Sequence, residues 1–261
     1  MSNGLITTPE NVHLLLAQKN YPNTFKNLKF IVMDEWHELL DSKRGVLIEL
    51  TLSHLKAINP KLQIWGISAT IGNLDEAKEI LLGSYEGKNT MIKAPLENKI
   101  GRETILPEVI EKYPWGGHLG ISAIDQVLSV IHQSNSTLLF TNTRSQCEIW
   151  YQRLLEKDPD LAGLIALHHG SLNEELRIWV ENAIHEGILK AVVCTSSLDL
   201  GVDFRPVDTV IQIGSPRGVA RFIQRAGRSG HQPGAVSKIY FVPTHSLEII
   251  EGSALRYAIG D

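Results

Sequence analysis

Cysteine is nearly missing from this chain: its 261 residues hold two, Cys147 and Cys194, too few for a disulfide framework. Both lie in apolar periodic segments, away from any Cys-x-x-Cys pair or histidine pair at finger spacing, which argues for a reducing, cytoplasmic setting without structural zinc. Long apolar runs are missing as well. No uncharged stretch approaches the ~18 residues of a membrane helix, and the first ten residues lack a basic n-region and a small-residue cleavage site. A membrane span, a signal peptide and a secreted scaffold are therefore not expected. Nor is one sign of charge in excess, since 25 Lys and Arg against 29 Asp and Glu leave −4, so any surface for a polyanion must be local. The Gly-x-Ser-x-Gly elbow and the His-Glu-x-x-His helix are also absent, which removes two common hydrolase chemistries.

What is present is 43% hydrophobic residues, enough for one large or two modest cores. Strands are predicted at 28–33, 62–68, 137–141, 165–168, 190–194, 209–213 and 237–242, with helices at 46–58, 74–82, 121–133, 145–155, 173–186, 219–226 and 247–258. The strands are almost continuously apolar, as parallel strands covered on both faces are, and the alternation predicts a doubly wound α/β fold. Between 83 and 120 Gly and Pro cluster and helical periodicity lapses, which predicts a boundary near residue 100 and domains of 1–100 and 101–261. Too few strands precede residue 100 for a free-standing doubly wound sheet. The first domain therefore reads as incomplete.

Asp34 and Glu35 directly follow the first predicted strand, where open α/β sheets place ligands. Phosphate hydrolysis needs one carboxylate for Mg²⁺ and another to activate water; Asp34 suits the metal and Glu35 the base. A solvated loop entering a helix would read the same way taken alone. Ser68-Ala69-Thr70 closes the second strand similarly, though such a triplet is also an ordinary turn or N-cap. Farther on, Arg205, Arg217, Arg221, Arg225 and Arg228 share the segment 205–231 with a single acid, Asp208. If one helix runs through the last four arginines, they span an arc of roughly 80°. Such a face implies acidic neighbours or a polyanion. Gly227 and Gly230 around Arg228 would let backbone come close while a guanidinium projects, a geometry suited to an arginine finger.

Taken together, these residues resemble the superfamily 2 DExH-box helicases, in particular the large-helicase-related (Lhr) branch and its bacterial ligase-associated members. The resemblance runs along most of the chain in six ordered segments: Thr7-Thr8-Pro9-Glu10 (motif Ib), Asp34-Glu35-Trp36-His37 (motif II), Ser68-Ala69-Thr70 (motif III), 139–144 (motif IV), 195–203 (motif V) and 224–231 (motif VI). Trp36 and His168-His169-Gly170-Ser171 favour the Lhr branch.

The resemblance implies two RecA-like parallel-sheet domains, the first incomplete, with ATP and Mg²⁺ as cofactors and ATP hydrolysis at the inter-domain cleft coupled to movement on single-stranded or partially duplex DNA. Asp34 would ligate Mg²⁺, Glu35 would be the catalytic base and Arg228 the finger. Gly201, Asp203 and Arg225 would meet the nucleotide beside them, while His37, Ser68, Thr70 and Gln224 would couple closure to nucleotide state. Thr8, Pro9, Thr143, Arg144, Gly170, Ser171 and Thr195 would line the strand track, mostly as phosphate contacts that carry no sequence information. A DNA ligase or nuclease as partner and a place in DNA repair belong to the same implication. His231 departs from the arginine common at the end of motif VI.

A larger departure is the lack of motif I, the Gly-x-x-x-x-Gly-Lys-Ser/Thr loop that cradles phosphates; the nearest lookalike, 83–89, is one residue short, ends in Asn89 and follows a helix. The chain accordingly reads as an N-terminally truncated core, not expected to turn over ATP by itself. Two other readings share these residues: a catalytically silent nucleic-acid-binding or regulatory module, and an RNA helicase, since backbone contacts separate RNA from DNA only through the 2′-OH.

Overall fold

A computed structural model describes residues 4–40, 42–68, 73–83, 88–93, 100–106, 120–199, 207–216, 218–229 and 237–259. The chain divides into two compact units, Met1–Ala94 and Pro95–Asp261.

In the first unit, α1 (Pro9–Leu16) and α2 (Tyr21–Phe25) precede β1 (Phe30–Met33), a single turn α3 (Trp36–Leu39), α4 (Lys43–Ile58), β2 (Gln63–Gly66) and α5 (Leu74–Leu82). Local chemistry explains the helix starts. Thr8 caps α1 with Pro9 in its first turn, and Ser42 Oγ accepts from Gly45 N at 3.0 Å to begin α4, ahead of the predicted start at 46. β1 and β2 are parallel neighbours, with Phe30 opposite Gln63 and Met33 opposite Gly66. One face of this pair packs Ile31, Met33 and Ile64 against Trp36, Leu39, Ile48, Leu52 and Leu81. The other face presents Phe30 and Trp65, each 57% exposed and stacked at 6.1 Å, together with Val32.

The second unit holds a six-stranded, all-parallel sheet. Its strands are β3 (Ile100–Thr104), β4 (Thr137–Phe140), β5 (Ile165–His168), β6 (Ala191–Cys194), β7 (Thr209–Ile213) and β8 (Ser237–Val242), in the order β3-β8-β7-β4-β6-β5. Period-two alternation sends neighbours in one strand to opposite layers. Leu138, Phe140, Val192, Cys194 and Val210 pack on one side with α8 (Glu174–His185) and α9 (Val219–Ala226), whereas Leu139, Val193, Ile211 and Ile213 pack on the other with α6 (Ile124–Gln133) and α7 (Arg144–Lys157). α10 (Ser246–Ile259) ends the unit. The strands predicted at 137–141, 165–168, 190–194, 209–213 and 237–242 form to within one residue at either end, while that at 28–33 shortens to Phe30–Met33 and that at 62–68 to Gln63–Gly66.

β3 lies in the stretch where the sequence shows only loss of helical periodicity. It pairs with β8 from Ile100↔Ser237 to Thr104↔Phe241, so the strand belongs wholly to the second unit although the expected boundary sits at its first residue. A second difference concerns the arginines. Gly218, at φ 95°, precedes α9, and the helix ends at Ala226, so only Arg221 and Arg225 lie on it; the single basic helix face through Arg228 does not form, and Arg217 lies outside the described residues. Among the described residues no helix is long and apolar enough to cross a membrane.

Candidate nucleotide and strand site

In the first unit the chain leaves β1 through Asp34 into a tight turn. Glu35 sits at φ 49°, ψ 44°, the only non-glycine residue with positive φ among the described residues. Three bonds hold it there. Glu35 N donates to Asp34 Oδ1 at 3.0 Å, Trp36 N to Ile67 O at 2.9 Å, and the buried Trp36 indole to Ala77 O at 3.2 Å. Because β2 runs parallel beside β1, Ser68 emerges next to this turn, and His37 Nδ1 lies 3.1 Å from Ser68 Oγ and 3.5 Å from Glu35 Oε2. The His37 side chain is 5% exposed and its Nε2 has no hydrogen-bond partner, the Glu38 carboxylate being 3.8 Å away. A buried imidazole nitrogen without a partner costs free energy unless something completes it. Asp34 is exposed and Glu35 half-buried. Two oxygen donors at a strand end fit a hard divalent cation of the Mg²⁺ type. Thr70 lies outside the described residues.

In the second unit, Asp199 organises the arginines. Its buried carboxylate accepts from Arg225 Nε at 2.7 Å and Nη2 at 3.0 Å, Arg221 Nε stands 3.5 Å away, and Arg228 Nη2 donates to the Asp199 carbonyl. Arg225 also donates through Nη1 to Gln212 Oε1 at 2.6 Å and lies 4.5 Å over the Phe140 ring. Being 2% exposed, with Nε, Nη1 and Nη2 each donating a bond, Arg225 ties the segment after β6 to α9. Arg228 remains half-buried beside the same aspartate. Gln224 Oε1 is a buried acceptor without a hydrogen-bond partner. Gly201 and Asp203 lie outside the described residues, as does His231.

The residues expected along the strand come together more clearly. β4, β6 and β5 are consecutive in the sheet and parallel, with Phe140 and His168 both in register with Cys194, so residues 141–144, 169–171 and 195–197 leave one edge side by side. Thr143 caps α7, accepting from Gln146 N at 3.2 Å, and Gly170 and Ser171 are exposed after β5. Thr195 N bonds His168 O at 3.2 Å. Arg144 is exposed and pairs with Glu148 at 2.8 Å, a contact that holds the Glu148 carboxyl below its usual range, with His169 adding to it. Thr8 and Pro9 sit at the start of α1 in the first unit, Thr8 Oγ1 accepting from Asn11 N at 3.4 Å.

Sequence reasoning gave no role to Asp199, Gln212, Glu181 or Ser197. Asp199 stands inside the segment 195–203, where the one signal was an acid beside an arginine-rich neighbour. Gln212 sits in a strand and offered none. His168, 1% exposed, lies 2.7 Å from Ser197 Oγ through Nδ1 and 2.9 Å from Glu181 Oε1 through Nε2. Burial holds its pKa below the ordinary histidine value, with Glu181 opposing. Burial likewise pushes the Cys147 thiol up to about 12 and raises Cys194 well above its usual value.

Comparison with known proteins matches residues 2–78 to the DEAD/DEAH box helicase family and residues 121–232 to the helicase conserved C-terminal domain. Among curated proteins, ATP-dependent helicase Lhr-Core protein 2 of Thermococcus barophilus is 33% identical over 259 residues, covering 97% of this chain and 30% of that protein. The Lhr helicase/uracil glycosylase of Escherichia coli is 29% identical, covering 96% of this chain and 19% of that protein. The solved structure of the Mycobacterium smegmatis helicase Lhr bound to ssDNA and AMP-PNP superposes with a TM-score of 0.77 at 31% identity, over 96% of this chain and 33% of the other. At 19% identity and a TM-score of 0.69, Saccharomyces cerevisiae Dbp5 bound to RNA and ADP BeF3 shares the fold. This chain thus spans about a third or less of the length of these Lhr relatives.

Proposed function

Because the chain belongs to the superfamily 2 helicases, as a homologue of the Lhr ATP-dependent helicases, we propose that it is the part of a DNA helicase core that grips one strand and carries the metal and base side of ATP hydrolysis. The observation that carries this reading is the alignment of 141–144, 169–171 and 195–197 at adjacent ends of parallel strands, where hydroxyls and Arg144 can meet successive phosphates. DNA is favoured over RNA because the relative solved with ssDNA is 31% identical, whereas the RNA-bound neighbour resembles this chain at 19%.

On the nucleotide side, Asp34 holds Mg²⁺, which when bound neutralises phosphate charge. Glu35, fixed by its left-handed turn, orients and deprotonates the attacking water, and Arg228 meets the charge that develops on the transferred phosphoryl group. Ser68, beside His37, and Thr70 transmit closure, and by the family resemblance Gly201 and Asp203 serve the nucleotide. His37 and Gln224, each with a buried polar atom that has no hydrogen-bond partner, couple strand grip to nucleotide state. Thr8, Pro9, Thr143, Arg144, Gly170, Ser171 and Thr195 contact the strand. A cytoplasmic location, a role in DNA repair and a ligase or nuclease partner rest on the resemblance alone. No phosphate-cradling loop occurs among these 261 residues, and we expect the chain by itself to bind strands without ATP turnover.

The test is fluorescence anisotropy of a labelled single-stranded DNA with unlabelled RNA of the same sequence as competitor. We expect binding that weakens linearly in log Kd against log salt, and preference for DNA. Affinity unaffected by salt would sink the phosphate track, and equal competition by RNA would favour an RNA substrate.

A further inference from the structure

We propose that His168 is a positioning residue for the strand-binding turn at 195–197: its ring, braced by Glu181, holds the Ser197 hydroxyl beside Thr195. The proposal rests on the reading of the strand ends as a nucleic-acid track. The ring is buried at the end of β5, between the turn that carries Gly170 and Ser171 and the turn that carries Thr195. Both ends of the residue hold the second turn. Its backbone carbonyl accepts from Thr195 N at 3.2 Å and lies 2.9 Å from Ser197 Oγ, and its Nδ1 lies 2.7 Å from the same hydroxyl.

Proton counting assigns the roles. The Glu181 carboxylate, 2.9 Å from Nε2, can only accept, so Nε2 carries the hydrogen; the single Ser197 proton then has two acceptors, the His168 carbonyl at 2.9 Å and Nδ1 at 2.7 Å, and both belong to His168. Ser197 Oγ thereby turns a lone pair to Thr195 Oγ1, 3.5 Å away. That distance is long for a hydroxyl pair, so the Thr195 hydroxyl is held in place yet exchanges readily to a phosphate oxygen. A buried imidazole needs a partner at each nitrogen, and one of the two that serve His168 is a hydroxyl in the turn on the expected track.

Asparagine places its amide where Nδ1 stands and can still reach Ser197; glutamine places its amide where Nε2 stands and reaches Glu181 instead. The experiment is anisotropy with a fluorescent oligothymidylate for the 261-residue chain, H168N, H168Q and S197A, alongside thermal unfolding of each. We expect H168Q and S197A to lose about three- to tenfold in affinity, the worth of a hydrogen bond or two, while H168N stays near wild type at a Tm like that of H168Q. Binding by S197A equal to wild type, or H168N and H168Q weakening together in step with their Tm, overturns the proposal. Since S197A removes only a half-buried hydroxyl, it keeps the test decisive if the histidine variants do not fold. Failure of the unaltered chain to bind would instead overturn the track reading on which the proposal stands.

Discussion

At the scale of single residues, the first unit stores strain at one carboxylate. A non-glycine residue in the left-handed region costs roughly 1–2 kcal/mol, and Glu35 is kept there by the bonds of Asp34, Trp36 and Ile67 around it. If the turn is held for the sake of the carboxylate, Glu35→Gly should unfold in urea about 1 kcal/mol later than Glu35→Ala, the backbone relief less the extra freedom glycine gives the unfolded chain. Equal stability would mean that the turn is not strained. In the second unit the decisive residue is Asp199. Arg225→Ala leaves that buried carboxylate with Arg221 at 3.5 Å, and we expect a loss of about 3 kcal/mol in chemical denaturation. A loss below about 1 kcal/mol, the range of an exposed pair, would contradict the clamp.

At the scale of elements, the central strands were legible because burial on both faces leaves an unbroken apolar run, as in Leu138-Leu139-Phe140 and Val192-Val193-Cys194. β3 was not, because an edge strand carries polar residues such as Glu103 and Thr104, and the Gly and Pro around it mask the pattern. The candidate site divides similarly. The strand-end residues were named through the motifs that resemble the helicase family, whereas the Asp199–Arg225–Gln212 cluster joins three separate elements and is visible only once they are folded. Cys147 and Cys194 report on the packing of these elements. Both are fully buried with raised thiol pKa, so neither should react with a thiol reagent in the native chain near pH 8, and both should label as the second unit opens in denaturant. Rapid labelling of Cys147 without denaturant would show that α7 and β6 do not pack as described.

At the scale of the whole molecule, a net charge of −4 leaves no general attraction for a polyanion, so strand binding has to come from a confined set of groups. Most of that set lies at one edge of the second unit's sheet, with Thr8 and Pro9 at the start of α1 as the share of the first unit. The exposed Phe30–Trp65 face of β1 and β2 has no part in it, nor have the amino-terminal ends of β4, β5 and β6. Hydrogen–deuterium exchange with and without saturating single-stranded DNA tests this most directly. The account predicts slower exchange in peptides covering 141–144, 169–171 and 195–197, and little change at 30–33 and 63–66. Protection confined to β1 and β2, or an exchange map unchanged by DNA, would contradict it.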